Sequence, residues 1–216
     1  MMPITLEARW GQLAARLGLS AALREATYRQ LAAAYEASGR HYHSLTHIRK
    51  LLETAEQHKE LVLDAEVMQL AIWFHDAVYN PLRDDNEARS AGLAQEFMAQ
   101  TTLPPARRQR VAFLIERTKD HTQPQPAADT DLHFFLDADL QILGAAEADY
   151  WQYARQVRQE YRLVPDVLYR RGRRQVLEKL LNSPVLYHTP AFRQRLDAAA
   201  RRNLRAELRQ WEKGGL

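Results

Sequence analysis

Residues 64–79 read DAEVMQLAIWFHDAVY, and this stretch decides the class of fold. Its apolar residues recur at intervals of three and four, as on one face of an α-helix: Val67, Leu70, Ala71 and Phe74. Asp64 precedes them as a candidate N-cap. The pattern therefore predicts a helix over 64–79, with His75 bordering its apolar face and Asp76 following directly.

The same periodicity extends outward over the whole chain, and alternating strand-like patterns are nearly absent. Further helices are predicted at 5–17, 20–37, 44–58, 85–100, 104–121, 131–143, 146–162, 166–182 and 190–212. Several have recognisable start signals: Thr5, Ser20 and Asp85 as N-caps, Pro105 early in its helix, and Thr189 followed by Pro190 at the first turn. The polar break at 121–129 is interpreted as a surface loop. We predict an all-α fold in a single domain over 1–216, with a core at about 40–205 and N-terminal helices 5–37 packed on it.

Composition excludes several classes of protein and site. The 216 residues contain no cysteine, which excludes disulfides and thiolate metal ligands. No apolar run approaches the roughly 20 residues that span a bilayer, and the first residues lack a signal-peptide pattern. The 30 basic and 27 acidic residues give a net charge of +3, which is too small to indicate nucleic-acid binding. We expect a cytoplasmic protein that has neither a membrane nor a nucleic acid as its partner.

An acidic side chain interrupts the apolar face of segment 131–143. Asp139 falls among apolar residues at helical spacing: Leu132, Phe135, Leu136, Leu140 and Leu143. Asp137 lies about 160° away around the helix, so Asp139 is predicted to be the inward carboxylate of the two. A buried carboxylate needs a compensating partner, which could be a metal, an arginine or a helix terminus.

Three histidines also lie on or near apolar faces. His47 borders the stripe of segment 44–58, and His43 precedes it by one turn. His43 and His47 could chelate a metal jointly, although Ser44 stands where a zincin motif has glutamate. His121 continues the stripe of segment 104–121 at its last turn, where the helix dipole alone would favour a histidine.

These elements, in this order, resemble the HD superfamily of metal-dependent phosphohydrolases. The runs that carry the resemblance are YHSLTHI (42–48), AIWFHDAVYN (71–80), DNEARSA (85–91) and FLDADLQILG (135–144). They look like a stand-alone bacterial subgroup described as predicted metal-dependent HD phosphohydrolases, and the resemblance spans roughly residues 40–205. A His-Asp pair alone is unspecific, whereas four ordered elements on separate helices are much more specific.

The resemblance implies a helical bundle whose metal ligands are His47, His75, Asp76 and Asp139. It also implies hydrolysis of a phosphomonoester or phosphodiester in a small phosphorylated substrate, with a nucleotide as the expected one. Two imidazoles and two carboxylates suit Mn²⁺, Fe²⁺, Co²⁺, Ni²⁺ or Zn²⁺, with Mg²⁺ also considered, better than Ca²⁺.

Catalytic groups are assigned only as candidates. Glu87, His121 and His43 could act as general acid or base, although Glu87 could equally be an acid that favours a helix N-terminus. Lys119, Arg158 and Arg173 are candidate phosphate ligands, with solvated helix faces as the alternative.

Other functions stay open at this point. One alternative is a nucleotide-binding sensor that retains the metal but has little turnover. A second is an HD-fold di-iron oxygenase, which needs further inward histidines such as His43, His121 or His133. A third is a structural helical protein with an accidental pattern. Homo-oligomers are also possible.

Overall fold

The computed structural model describes residues 4–213, and every regular element in that range is a helix. This confirms the predicted all-α class. Over the described residues the chain divides into two compact units, residues 4–119 and 120–213, and the single domain over 1–216 stays a prediction. Within the described range, no helix is both long enough and apolar enough to cross a membrane.

The helices follow the predicted order closely. The first unit contains α1 (Leu6–Arg16), α2 (Ala21–Tyr35), α3 (Leu45–Gln57), a 3₁₀ turn (Lys59–Leu61), α4 (Ala65–Phe74), α5 (Asn86–Met98) and α6 (Pro105–Arg117). The second contains α7 (Thr130–Asp139), a 3₁₀ turn (Leu140–Gly144), α8 (Glu147–Glu160), α9 (Asp166–Asn182) and α10 (Pro190–Glu212).

Local capping explains where most of these helices begin. Four predicted caps, Thr5, Ser20, Asp64 and Thr189, each accept a hydrogen bond from a backbone N–H in the first turn of their helix. Such a bond satisfies a donor that would otherwise lack an intrahelical partner. Asp85 precedes α5 as predicted, but its side chain makes no cap bond and instead pairs with Arg83 at 2.6 Å.

Aromatic packing holds α4 in the core of the first unit. Trp73 and Phe74, at the end of α4, are 0% and 1% exposed. The ring centroid of Trp10 lies 5.5 Å from that of Trp73, and Phe97 stacks on Phe74 at 5.2 Å. Each aromatic pair adds about 0.5–1.5 kcal/mol beyond its buried area. This packing fixes the position of His75, the next residue.

The predicted helix 64–79 is too long, because α4 ends at Phe74 with His75 as its C-cap. The guanidinium of Arg40 donates to the carbonyls of Asp76 and Ala77, at 2.7 and 3.2 Å. The hydroxyl of Ser90 bonds both the N–H and the carbonyl of Val78. These backbone groups are therefore occupied by tertiary contacts instead of a continuing helix.

A buried ion pair organises the second unit. The Arg173 guanidinium donates to both carboxylate oxygens of Glu207, at 2.8 and 2.9 Å, and Glu207 is 0% exposed. The Tyr150 hydroxyl donates to the same carboxylate at 2.6 Å. Arg173 was a candidate phosphate ligand, and that prediction is wrong because its charge is already paired inside the helical core.

Candidate metal centre

Two buried imidazoles meet in the first unit. His47, in the first turn of α3, is 7% exposed, and His75, which caps α4, is 1% exposed. Their Nε2 atoms lie 3.2 Å apart. Each helix therefore directs an imidazole nitrogen toward the same point in the interior.

A carboxylate approaches this pair. The Oδ2 atom of Asp76, the residue after His75, lies 3.0 Å from Nε2 of His75. One imidazole nitrogen is thus approached by a second imidazole and by a carboxylate oxygen.

The backbone sets the tautomer of His75. Its Nδ1 atom lies 2.9 Å from the carbonyl oxygen of Ile72. A carbonyl only accepts hydrogen bonds, so we assign the ring proton to Nδ1 as the donor. The lone pair of neutral His75 is then on Nε2, the atom facing His47 and Asp76. Metal-binding histidines are commonly oriented by such a contact.

Arg40 supports this region, and sequence reasoning missed it. Its guanidinium donates to the carbonyls of His43, Asp76 and Ala77, at 3.1, 2.7 and 3.2 Å. It thereby ties the loop before α3 to the turn that follows His75. No periodicity or motif identifies this role, and the only available signal was its position three residues before His43.

His43 lies outside the helix that was predicted to begin near it. Ser44 is the N-cap of α3, so His43 and His47 do not share a helical face at four-residue spacing. The His43 ring packs on Tyr79, with centroids 4.4 Å apart, and lies 6.2 Å from the ring of His47. His43 is therefore a neighbour of the histidine pair within an aromatic group.

Glu87 occupies the first turn of α5, as the sequence predicted. Its side chain is half-buried. One turn later, Ser90 bonds the backbone of Val78 and so connects α5 to the segment after Asp76. Glu87 therefore belongs to the helix that braces the His75–Asp76 turn.

The second unit holds a carboxylate and a histidine in contact. Nε2 of His121 lies 3.0 Å from Oδ2 of Asp139, the last residue of α7. The two side chains are similarly shielded, at 15% and 16% exposed. The structure thus pairs two of the residues that were selected from apolar faces.

Asp137 corrects the predicted contrast between the two aspartates of α7. It is 0% exposed, whereas the sequence placed it on the outward side of the helix. Its carboxylate accepts from the N–H groups of His188 and Thr189 and from the Thr189 hydroxyl, each at 2.7 Å. Burial raises the pKa of Asp137 to about 6, although these donors favour its charged form. Asp137 fixes the backbone at the start of α10.

In the first unit, the side chains of His47 and His75 could hold a metal ion. They offer two imidazole nitrogens, which suit divalent transition metals. The contact of Asp76 with His75 adds a carboxylate beside the imidazoles. The chemistry of these donors fits a divalent cation.

Two other candidate phosphate ligands have protein partners. The ammonium of Lys119 donates to the carbonyl of Asp84 at 2.6 Å. Arg158 donates to the carbonyl of Tyr161 and pairs with Asp166. These contacts account for both side chains without a phosphate group.

Comparison with known proteins does not identify a family. No protein-family model, curated protein or solved structure matches this chain. Its function must therefore be argued from the side chains described above.

Proposed function

We propose that this chain is a metal-dependent phosphohydrolase of the HD type. His47, His75, Asp76 and Asp139 would together bind one divalent metal ion. The observation that carries the proposal is the approach of His47 Nε2 and Asp76 Oδ2 to the Nε2 atom of buried His75, at 3.2 and 3.0 Å. The motif resemblance supplies the class of reaction.

A cation would relieve the electrostatic conflict in this arrangement. When His75 is neutral with its proton on Nδ1, its Nε2 lone pair faces the Asp76 oxygen, which can only accept when ionised. Two acceptors at 3.0 Å repel each other unless a proton or a metal lies between or beside them. A divalent ion would satisfy the lone pairs of both imidazoles and of the carboxylate simultaneously.

When bound, such a metal would supply an activated water and neutralise charge on phosphoryl oxygens. The ring of His121 is held against Asp139 and could deliver a proton to the leaving oxygen. Glu87 could accept the proton of the attacking water. Arg40 would keep Asp76 and the His43 loop in place through their carbonyls.

The proposed substrate is a small phosphorylated molecule, with a nucleotide as the first class to test. A screen should use nucleoside mono- and triphosphates, cyclic nucleotides and a chromogenic phosphodiester, with Mn²⁺ added. We expect release of phosphate or cleavage of a phosphodiester, together with about one bound metal per chain by elemental analysis.

A matched pair of variants makes this experiment specific. His75→Ala removes the central imidazole, whereas His58→Ala removes the C-cap histidine of α3. We expect His75→Ala to lose metal and hydrolysis and His58→Ala to retain both. Binding of a nucleotide without turnover would contradict the hydrolase and favour the sensor. Equal metal content in both variants would eliminate the proposed centre.

A further inference from the structure

A second concave site lies in the first unit, apart from the histidine pair. It is a cavity of about 260 Å³ between α1, the C-terminal half of α3, the 3₁₀ turn after it and the first turns of α4. His47 begins α3 and His75 ends α4. At 1.5 Å per residue, Met68 is about 10 Å along α4 from His75. The cavity is therefore a separate site.

The cavity combines an apolar wall with a cationic side. Leu52 and Met68 are buried at 4% and 1% exposure, and Ala55 is half-buried beside them. The charged residues that line the cavity are Arg9, Arg16, Lys59 and Glu56, three cations against one carboxylate. This asymmetry favours a ligand with an apolar body and a negative charge.

Arg9 lines the cavity with a partly accessible guanidinium. Its Nη2 pairs with Glu56 at 2.9 Å, and its side chain is 19% exposed. Its Nε atom is buried and has no hydrogen-bond partner among residues 4–213. Arg16 is held differently, since it donates to the Gln69 side chain at 3.2 Å and lies 3.6 Å from Glu66. The accessible part of the Arg9 guanidinium is where an anionic oxygen would bind.

We propose that this cavity binds a small amphipathic anion, with a short apolar body against Leu52, Ala55 and Met68 and a carboxylate at Arg9. The volume of the cavity matches a short ligand, because at about 30 Å³ per water-sized group it accommodates roughly eight or nine heavy atoms. Hexanoate has that size and chemistry and is the appropriate probe.

Titration calorimetry on the full chain tests the proposal with three probes of equal length. We expect saturable binding of hexanoate, weaker binding of hexan-1-ol and no binding of hexylamine. Arg9→Gln should weaken hexanoate binding about ten-fold, because it removes a charge-assisted hydrogen bond. Lys50→Gln, an exposed cation on α3 that does not line the cavity, should leave hexanoate binding unchanged.

A second pair of variants tests the apolar wall. Ala55→Phe should fill the cavity and abolish hexanoate binding. If that variant does not fold, Ala65→Leu fills the cavity from the exposed first residue of α4. Hexanoate binding that survives in the folded filled variant, or hexylamine binding as tight as hexanoate, would overturn the proposal, as would absence of hexanoate binding to the unmodified chain.

Discussion

The carboxylate of Asp137 accepts two hydrogen bonds from Thr189, one from its backbone N–H and one from its hydroxyl, both 2.7 Å long. Thr189 is in turn the N-cap of α10. Asp137 thus anchors the start of a 23-residue helix from within α7. Two residues later, Asp139 contacts a histidine instead. Neighbouring aspartates of one motif therefore have different structural contexts.

This difference predicts opposite phenotypes for two conservative substitutions. Asp137→Asn should lower the free energy of unfolding by about 1–3 kcal/mol, because it weakens buried hydrogen bonds, while metal content stays unchanged. Asp139→Asn should change stability little, because the amide oxygen can still contact His121, but should lower metal affinity at least about ten-fold. Chemical denaturation and elemental analysis measure the two effects. If Asp137→Asn loses the metal and Asp139→Asn retains it, the assignment is reversed.

Helix starts could be predicted because their signals are local. Thr189 followed by Pro190 combines a capping hydroxyl with a residue suited to the first turn, and α10 begins there. Ser20 likewise caps α2. In each case the donor and acceptor are three residues apart, so the sequence window contains the whole interaction.

The end of α4 and the burial of Asp137 could not be predicted, because both depend on distant residues. Arg40 lies 36 positions before the Asp76 carbonyl that it binds. Asp137 is 51 positions before His188. In addition, α7 is buried almost all round, so the contrast between its faces carries little information about which aspartate points inward.

The inward placement of His47 and His75 could be predicted from the sequence, since each residue borders an apolar stripe that must pack inward. Their 3.2 Å separation agrees with the inward placement. The role of Arg40 could not be predicted, because an arginine that binds backbone carbonyls produces no periodic pattern in the sequence.

Replacing Arg40 should affect both stability and metal binding. Arg40→Met leaves the carbonyls of His43, Asp76 and Ala77 without their donor, and we expect a loss of about 1.5–3 kcal/mol. Metal affinity should also fall, because Asp76 would no longer be held beside His75. Denaturation and metal titration provide the measurements.

Arg29→Met is the control, since Arg29 is 72% exposed in the same unit and its removal should stay within about 0.5 kcal/mol. Unchanged metal affinity in Arg40→Met would show that Arg40 is purely structural.

His188 gives the second unit a pH-dependent stability. Burial lowers the pKa of His188 to about 4, and repulsion between the protonated ring and the neighbouring His133, Arg193 and His121 contributes to the shift. The folded state thus disfavours the protonated ring, whereas an unfolded chain protonates it near pH 6.5. The stability that depends on neutral His188 is therefore fully present above pH 6.5 and is lost as the pH falls toward 4. In denaturation at several pH values, the free energy of unfolding of His188→Asn should fall less steeply over this range than that of the parent. An equal fall in both proteins would refute this role of His188.

Gly144 lies too close to α10 for any larger residue. A Cβ atom placed there would be 2.6 Å from Cβ and 2.9 Å from the carbonyl oxygen of Leu196. Because the obstacle includes backbone, Gly144→Ala should cost about 1–3 kcal/mol. Gly172, within α9, has no atom within 4 Å of such a Cβ, so Gly172→Ala should instead stabilise by about 0.5–1 kcal/mol. If α10 packs against the 3₁₀ turn as described, denaturation will show a lower free energy of unfolding for Gly144→Ala and a higher one for Gly172→Ala. An unchanged free energy of unfolding in Gly144→Ala would mean that the two elements can separate without loss of stability.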